Sequence, residues 1–79
     1  MKHTTPKYHG FISSVGCDYR VTNIYTEFSL YFMRKWEAEA YIVSLVQNDI
    51  WDMDDFILSE FDAAEWRWNE IKHSMLEEA

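Results

Sequence analysis

Along the first third of the chain apolar and polar positions alternate with a period of two, and further on apolar residues recur every three or four positions. Tyr8 to Ser14 and Tyr19 to Tyr25 are rich in β-branched and aromatic residues, and the Val-Gly-Cys-Asp between them holds the Gly and Asp that tight turns favour. This predicts an antiparallel hairpin. Tyr19, Val21 and Tyr25 fall on one face, directed to the core, and Arg20, Thr22 and Ile24 on the other. Phe28, Leu30 and Phe32 alternate with Ser29 and Tyr31, which favours a third strand over 26–32, although Thr26 could instead cap a helix running on to Gln47. From Arg34 to Gln47, Ala38, Tyr41, Ile42, Leu45 and Val46 form a wide helical stripe that Asn48 and Asp49 end, with Trp36, Ala40 and Val43 on the opposite side.

In the last third, Asp62 followed by Glu65 has the spacing of a capping box, and Ala64, Trp68, Ile71 and Met75 recur at helical intervals. Trp66 then lies about 160° from that stripe at ~100° per residue, among Asp62, Asn69, Glu70, His73 and Glu77. Phe56 to Phe61 reads either as a helix continuing into this one or as a short fourth strand stopped at Asp62, and the continuous register favours the helix. The expected fold is α+β. A two- or three-stranded antiparallel sheet from residues 8–32 packs against two helices covering about 34–47 and 53–77. Phe11, Tyr19, Val21, Tyr25, Ile42, Leu45, Ala64, Trp68 and Ile71 are its predicted core, in a single domain 1–79 with 1–7 a loose lead-in.

An aromatic content of 18% with only two Gly and one Pro marks a folded domain. The one cysteine, Cys17, excludes an intrachain disulfide and a cysteine-based zinc cage and is in keeping with a reducing, cytoplasmic setting. The start lacks the apolar segment of a signal peptide, and the longest apolar run is too short to span a bilayer, so no membrane association is expected. The net charge of −7 is unevenly placed: residues 1–48 carry five bases against four acids, and residues 49–79 carry ten acids against two bases. A field of that sign repels nucleic acid and attracts basic surfaces.

Catalytic and metal-binding patterns are missing from the chain. Counted from Asp49, Glu60 falls at the twelfth position of a calcium loop, but Trp51 and Met53 stand where the third and fifth ligands belong and Asp54 where Gly belongs. Nothing in the sequence brings Cys17 together with His3, His9 or His73 as nucleophile and base, and no phosphate loop or hydrolase motif is present. No enzyme activity, metal or cofactor is expected. The alternative use of the acids is at a protein surface, since carboxylates arrayed along a helix can stand in for phosphates and occupy a basic groove.

In its small size, acidity, aromatic richness and lack of catalytic motifs, the chain is similar to small phage-encoded proteins that block host enzymes or defence complexes. That likeness implies an inhibitor and assigns no residues. The expected function is a non-enzymatic interaction module that binds a basic surface on a larger protein. Trp66 is its anchor, Glu70, His73 and Glu77 lie beside it, and Asp52, Asp54 and Asp55 supply the steering field. The alternative is an obligate homodimer in which Trp36, Val43 and Trp66 are buried against a second copy and the acidity only confers solubility.

Overall fold

The computed structural model describes residues 10–74, in the order β1 (Tyr19–Asn23), β2 (Ser29–Phe32), α1 (Lys35–Val46), a single 3₁₀ turn (Met53–Asp55), β3 (Phe56–Asp62) and β4 (Arg67–Ile71). The strands form one antiparallel sheet in the order β2-β1-β3-β4. β1 is paired on both edges, with Val21 opposite Leu30 of β2 and Leu58 of β3, while Leu58 also faces Ile71 of β4. Opposed residues in antiparallel strands project to the same side, so Val21, Leu30, Phe32, Leu58 and Ile71 make one apolar face. α1 lies on that face. Ala38 and Ile42 join Val21, Phe32 and Leu58 in the buried core, with Tyr19, Tyr41, Val46, Met53, Phe56 and Ile71 packed around it.

The α+β class stands, with one helix among the described residues where two were expected. The strand predicted over 26–32 and the helix over 34–47 are present as β2 and α1. The helix expected over 53–77 is replaced by the 3₁₀ turn and the β3–β4 hairpin; positions 75–77 lie outside the described residues. Asp62 shows why. Its Oδ1 accepts hydrogen bonds from the backbone N–H groups of Ala64 (3.0 Å) and Glu65 (3.3 Å), the same bonds a helix cap would make, but here they close a turn.

The two hairpins share a design. Asn23 Oδ1 accepts from the N–H groups of Tyr25 (2.8 Å) and Thr26 (3.1 Å), and the loop ends at Glu27 in the left-handed region at φ 62°. In the β3–β4 loop Asp62 plays the part of Asn23, and Trp66, at φ 58°, that of Glu27. The hairpin predicted between 8–14 and 19–25 does not form among the described residues: β1 pairs with β2 and β3, and Phe11 instead bridges to Tyr31 of β2 through backbone bonds of 2.8 and 2.9 Å. Gly10 is required beside that bridge, because a Cβ there would meet the Phe32 ring at 2.8 Å and Leu30 Cβ at 2.9 Å.

Of the predicted core, Val21 and Ile42 are buried and Tyr19 and Ile71 pack at its margin. Phe11 and Tyr25 are 53% and 69% exposed, the latter because β1 ends at Asn23, and Ala64 is in the exposed turn. Trp68 is on the opposite sheet face, opposed to Phe61. No helix among the described residues is long and apolar enough to cross a membrane.

Candidate functional site

The sheet face turned away from α1 carries Arg20, Thr22, Ser29, Tyr31, Ser59, Phe61, Trp68 and Glu70, as the strand register requires. Across its middle, Tyr31, Arg20, Ser59 and Glu70 stand in one row. Trp68 leans over that row, its ring centroid 5.7 Å from Tyr31 and 4.9 Å from the Arg20 Cζ, and Ser59 beneath is only 2% exposed. A cation–π contact holds the guanidinium, and Arg20 Nε has no hydrogen-bond partner among the described residues.

At the hairpin tip this face becomes a cleft. Phe61 lies 5.2 Å, centroid to centroid, from both Trp66 and Trp68, at interplanar angles of 71° and 57°. Both indoles are inclined to the Phe61 ring and neither is stacked flat on it. The other wall is the segment before β1. There the Cys17 N–H donates to the Ser14 carbonyl at 2.9 Å around Gly16, whose φ of 78° suits a glycine, and the Asp18 carbonyl accepts from the Phe61 N–H at 2.8 Å. Together Ser14, Gly16, Cys17, Asp18, Phe61, Trp66 and Trp68 line a half-open cavity of about 350 Å³. Burial pushes the Cys17 thiol up, and the Asp18 and Glu37 carboxylates push it further, so it stays protonated near neutral pH and is a poor nucleophile.

The predicted site residues do not form one patch. Trp66 is 78% exposed at the tip of the β3–β4 hairpin. Asp52, Asp54 and Asp55 surround the 3₁₀ turn at the other end of β3, about 20 Å away along a seven-residue strand. There Asp52 and Asp55 cap each other's backbone, the Asp52 N–H donating to Asp55 Oδ2 at 2.9 Å. Asp54, Glu70 and His73 line a separate cleft of about 260 Å³ with Ile42, Ile57 and Lys72. Trp36 and Val43 are on α1, the first 55% exposed and the second half-buried. Glu77, like His3 and His9, lies outside the described residues.

His73 belongs to the interior rather than to a partner surface. It is 6% exposed, with Nε2 3.2 Å from the Glu39 carbonyl oxygen. Ser74 beside it donates from its N–H (2.8 Å) and hydroxyl (2.7 Å) to Glu39 Oε2, pinning the chain after β4 onto α1. Burial alone would raise the Glu39 carboxyl, but the two Ser74 bonds, with His73 and Lys35 nearby, hold it below its ordinary value. No group of three or more His, Cys, Asp or Glu among the described residues is placed to hold a metal ion.

Sequence reasoning missed Phe61, Asp18 and the outward role of Trp68. The available signal was the alternation of Trp66 and Trp68 about Arg67, two rings at strand spacing directly after the turn-forming Asp-Ala-Ala-Glu. Comparison of the chain with known protein families, with curated proteins and with solved structures found no match.

Proposed function

We propose that the protein is a non-enzymatic interaction module whose β3–β4 hairpin tip docks on a basic surface of a larger protein, in the manner of a small acidic inhibitor. The observation that carries this reading is Trp66, a large aromatic residue that is 78% exposed while held in the left-handed region at φ 58°. Glycine would fill that position without strain and asparagine with less, so the backbone conformation gives no reason for an indole there. Trp ringed by charge is the makeup of a binding hot spot, where truncation typically costs ~2 kcal/mol or more. The segments beside it carry Asp18, Glu60, Asp62, Glu65 and Glu70 against Arg20 and Arg67. One of those bases is already engaged, Arg67 pairing with Glu65 at 3.1 Å.

Among the described residues the acids after Asp52 are spread over a 3₁₀ turn, two strands and a hairpin tip and do not form a helical row of phosphate mimics. Their contribution is a steering field over the whole C-terminal half. Affinity capture with the full chain from its native host, in low and high salt, tests the reading. A partner retained by the wild type, lost with Trp66→Gly and weakened by salt is expected. Capture that is indifferent to both changes overturns it.

A further inference from the structure

We infer that the cavity walled by Phe61, Trp66, Trp68 and Asp18 is a cage for an organic cation, the alkylated ammonium head of a small molecule or of a modified lysine side chain. It rests on the interaction reading only for the source of that cation. Three features of the site converge on this chemistry. Trp66 and Trp68 each pack against Phe61 at 5.2 Å, inclined to it by 71° and 57°, and all three side chains line the same cavity. A cation with a greasy surface gains from such walls, because each ring face is the negative side of its quadrupole. Asp18, an exposed acid, lines the same cavity, and the surrounding acids outnumber the bases, which disfavours phosphates and carboxylate ligands.

The third feature is that Trp68 already takes a cation. Arg20 lies 4.9 Å from its ring centroid, with no hydrogen bond to Nε among the described residues, so the indole ring is a contact of a guanidinium. The volume of about 350 Å³ is at the small end for a ligand site and suits a compact ammonium head better than a nucleotide or a sugar. Cys17 and Gly16 close the remaining side with a protonated thiol and bare backbone, neither of which adds a positive charge.

The four tryptophans, Trp36, Trp51, Trp66 and Trp68, give four indole N–H signals in a nitrogen-15 NMR spectrum, so the full-length protein reports on its own cage. Choline chloride is titrated at constant ionic strength against 3,3-dimethyl-1-butanol, which has the same shape without the charge. Saturable shifts of the Trp66 and Trp68 signals, with choline at least about tenfold the tighter of the two, are expected. Equal responses to both compounds, shifts confined to Trp36 and Trp51, or no shift through the millimolar range overturn the inference. Trp66→Gly suits the local backbone and keeps the other three signals as a check on folding. It should weaken choline binding at least about tenfold, and Asp18→Asn should weaken it several-fold. Unchanged choline binding in Trp66→Gly also overturns it. A trimethyl-lysine peptide that binds more tightly than choline, and more tightly than its unmodified form, assigns the cation to a protein; the reverse order assigns it to a free metabolite. Choline shifts without any captured partner would fail the interaction reading alone, and a Trp66-dependent partner without choline shifts would fail the cage alone.

Discussion

Trp66 occupies a backbone conformation that costs an L side chain about 1–2 kcal/mol and a glycine almost nothing. Its ring recovers part of that through the edge contact with Phe61 at 5.2 Å, an arrangement worth about 0.5–1.5 kcal/mol beyond its area. The two terms nearly cancel. Trp66→Gly is therefore expected to leave the thermal midpoint within a few degrees of the wild type, or to raise it, while removing partner and cation binding. A fall of more than ~2 kcal/mol in a denaturant melt would show that the indole holds the hairpin together and is retained for stability. Exposure at this residue follows from its place at a turn, not from the helical geometry that the spacing of Trp66 and Trp68 suggested.

Among the elements, α1 and the end of β4 are joined through Glu39, whose side chain is 15% exposed and accepts both Ser74 bonds. Its carboxyl is held below its ordinary value near 4.5, so the folded state binds this proton less readily than the unfolded chain does. The stability it contributes is thus fully present above that ordinary value and is lost as pH falls through the lowered one. Comparison of wild type with Glu39→Gln by urea denaturation across pH should show a constant gap from neutral pH down to about 4.5 that closes on further acidification. A gap that is independent of pH would place the contact's value in packing instead of charge. Lys35, at 3.8 Å on the preceding turn of α1, adds little to this, as exposed pairs at that spacing do.

For the molecule as a whole, the decisive surface is the outer edge of β4, which pairs with no strand among the described residues. An open edge invites a second copy to extend the sheet, which is the most direct route to the homodimer alternative. The edge is short, five residues, and carries Arg67 and Glu70, both exposed, which are devices that discourage such pairing. The net charge of −7 adds mutual repulsion between copies. Sedimentation across the micromolar range should accordingly show a monomer at moderate salt. A concentration-dependent dimer, weakened by mutating Trp36, would favour the alternative in which the acidity only confers solubility.

The sequence by itself determined α1 and the middle of β1 and β2, because the period accounts for the apolar positions of each and Asn48-Asp49 marks the end of α1, whereas the alternation carried β1 on to Tyr25 and Thr26 left a helix open for 26–32. It also determined the charge asymmetry and the turn chemistry at Asp62, since a carboxylate able to accept two backbone N–H bonds breaks a strand or starts a helix with the same atoms. What followed Asp52 was decided by tertiary structure. Ala64, Trp68 and Ile71 satisfy a helical spacing, yet Phe56 and Leu58, and Asn69 and Ile71, also stand at strand spacing, and a local pattern cannot rank the two. The hairpin of β1 with β2 leaves the second edge of β1 with unpaired backbone groups beside an apolar face. β3, delivered there by α1 and running parallel to β2 on the other side of β1, satisfies that edge in a way no helix could. Once β3 is a strand, β4 follows as its hairpin partner. Trp68 then turns to the open face beside Phe61, and residues 14–18, far away in sequence, close a cleft that no local spacing encodes.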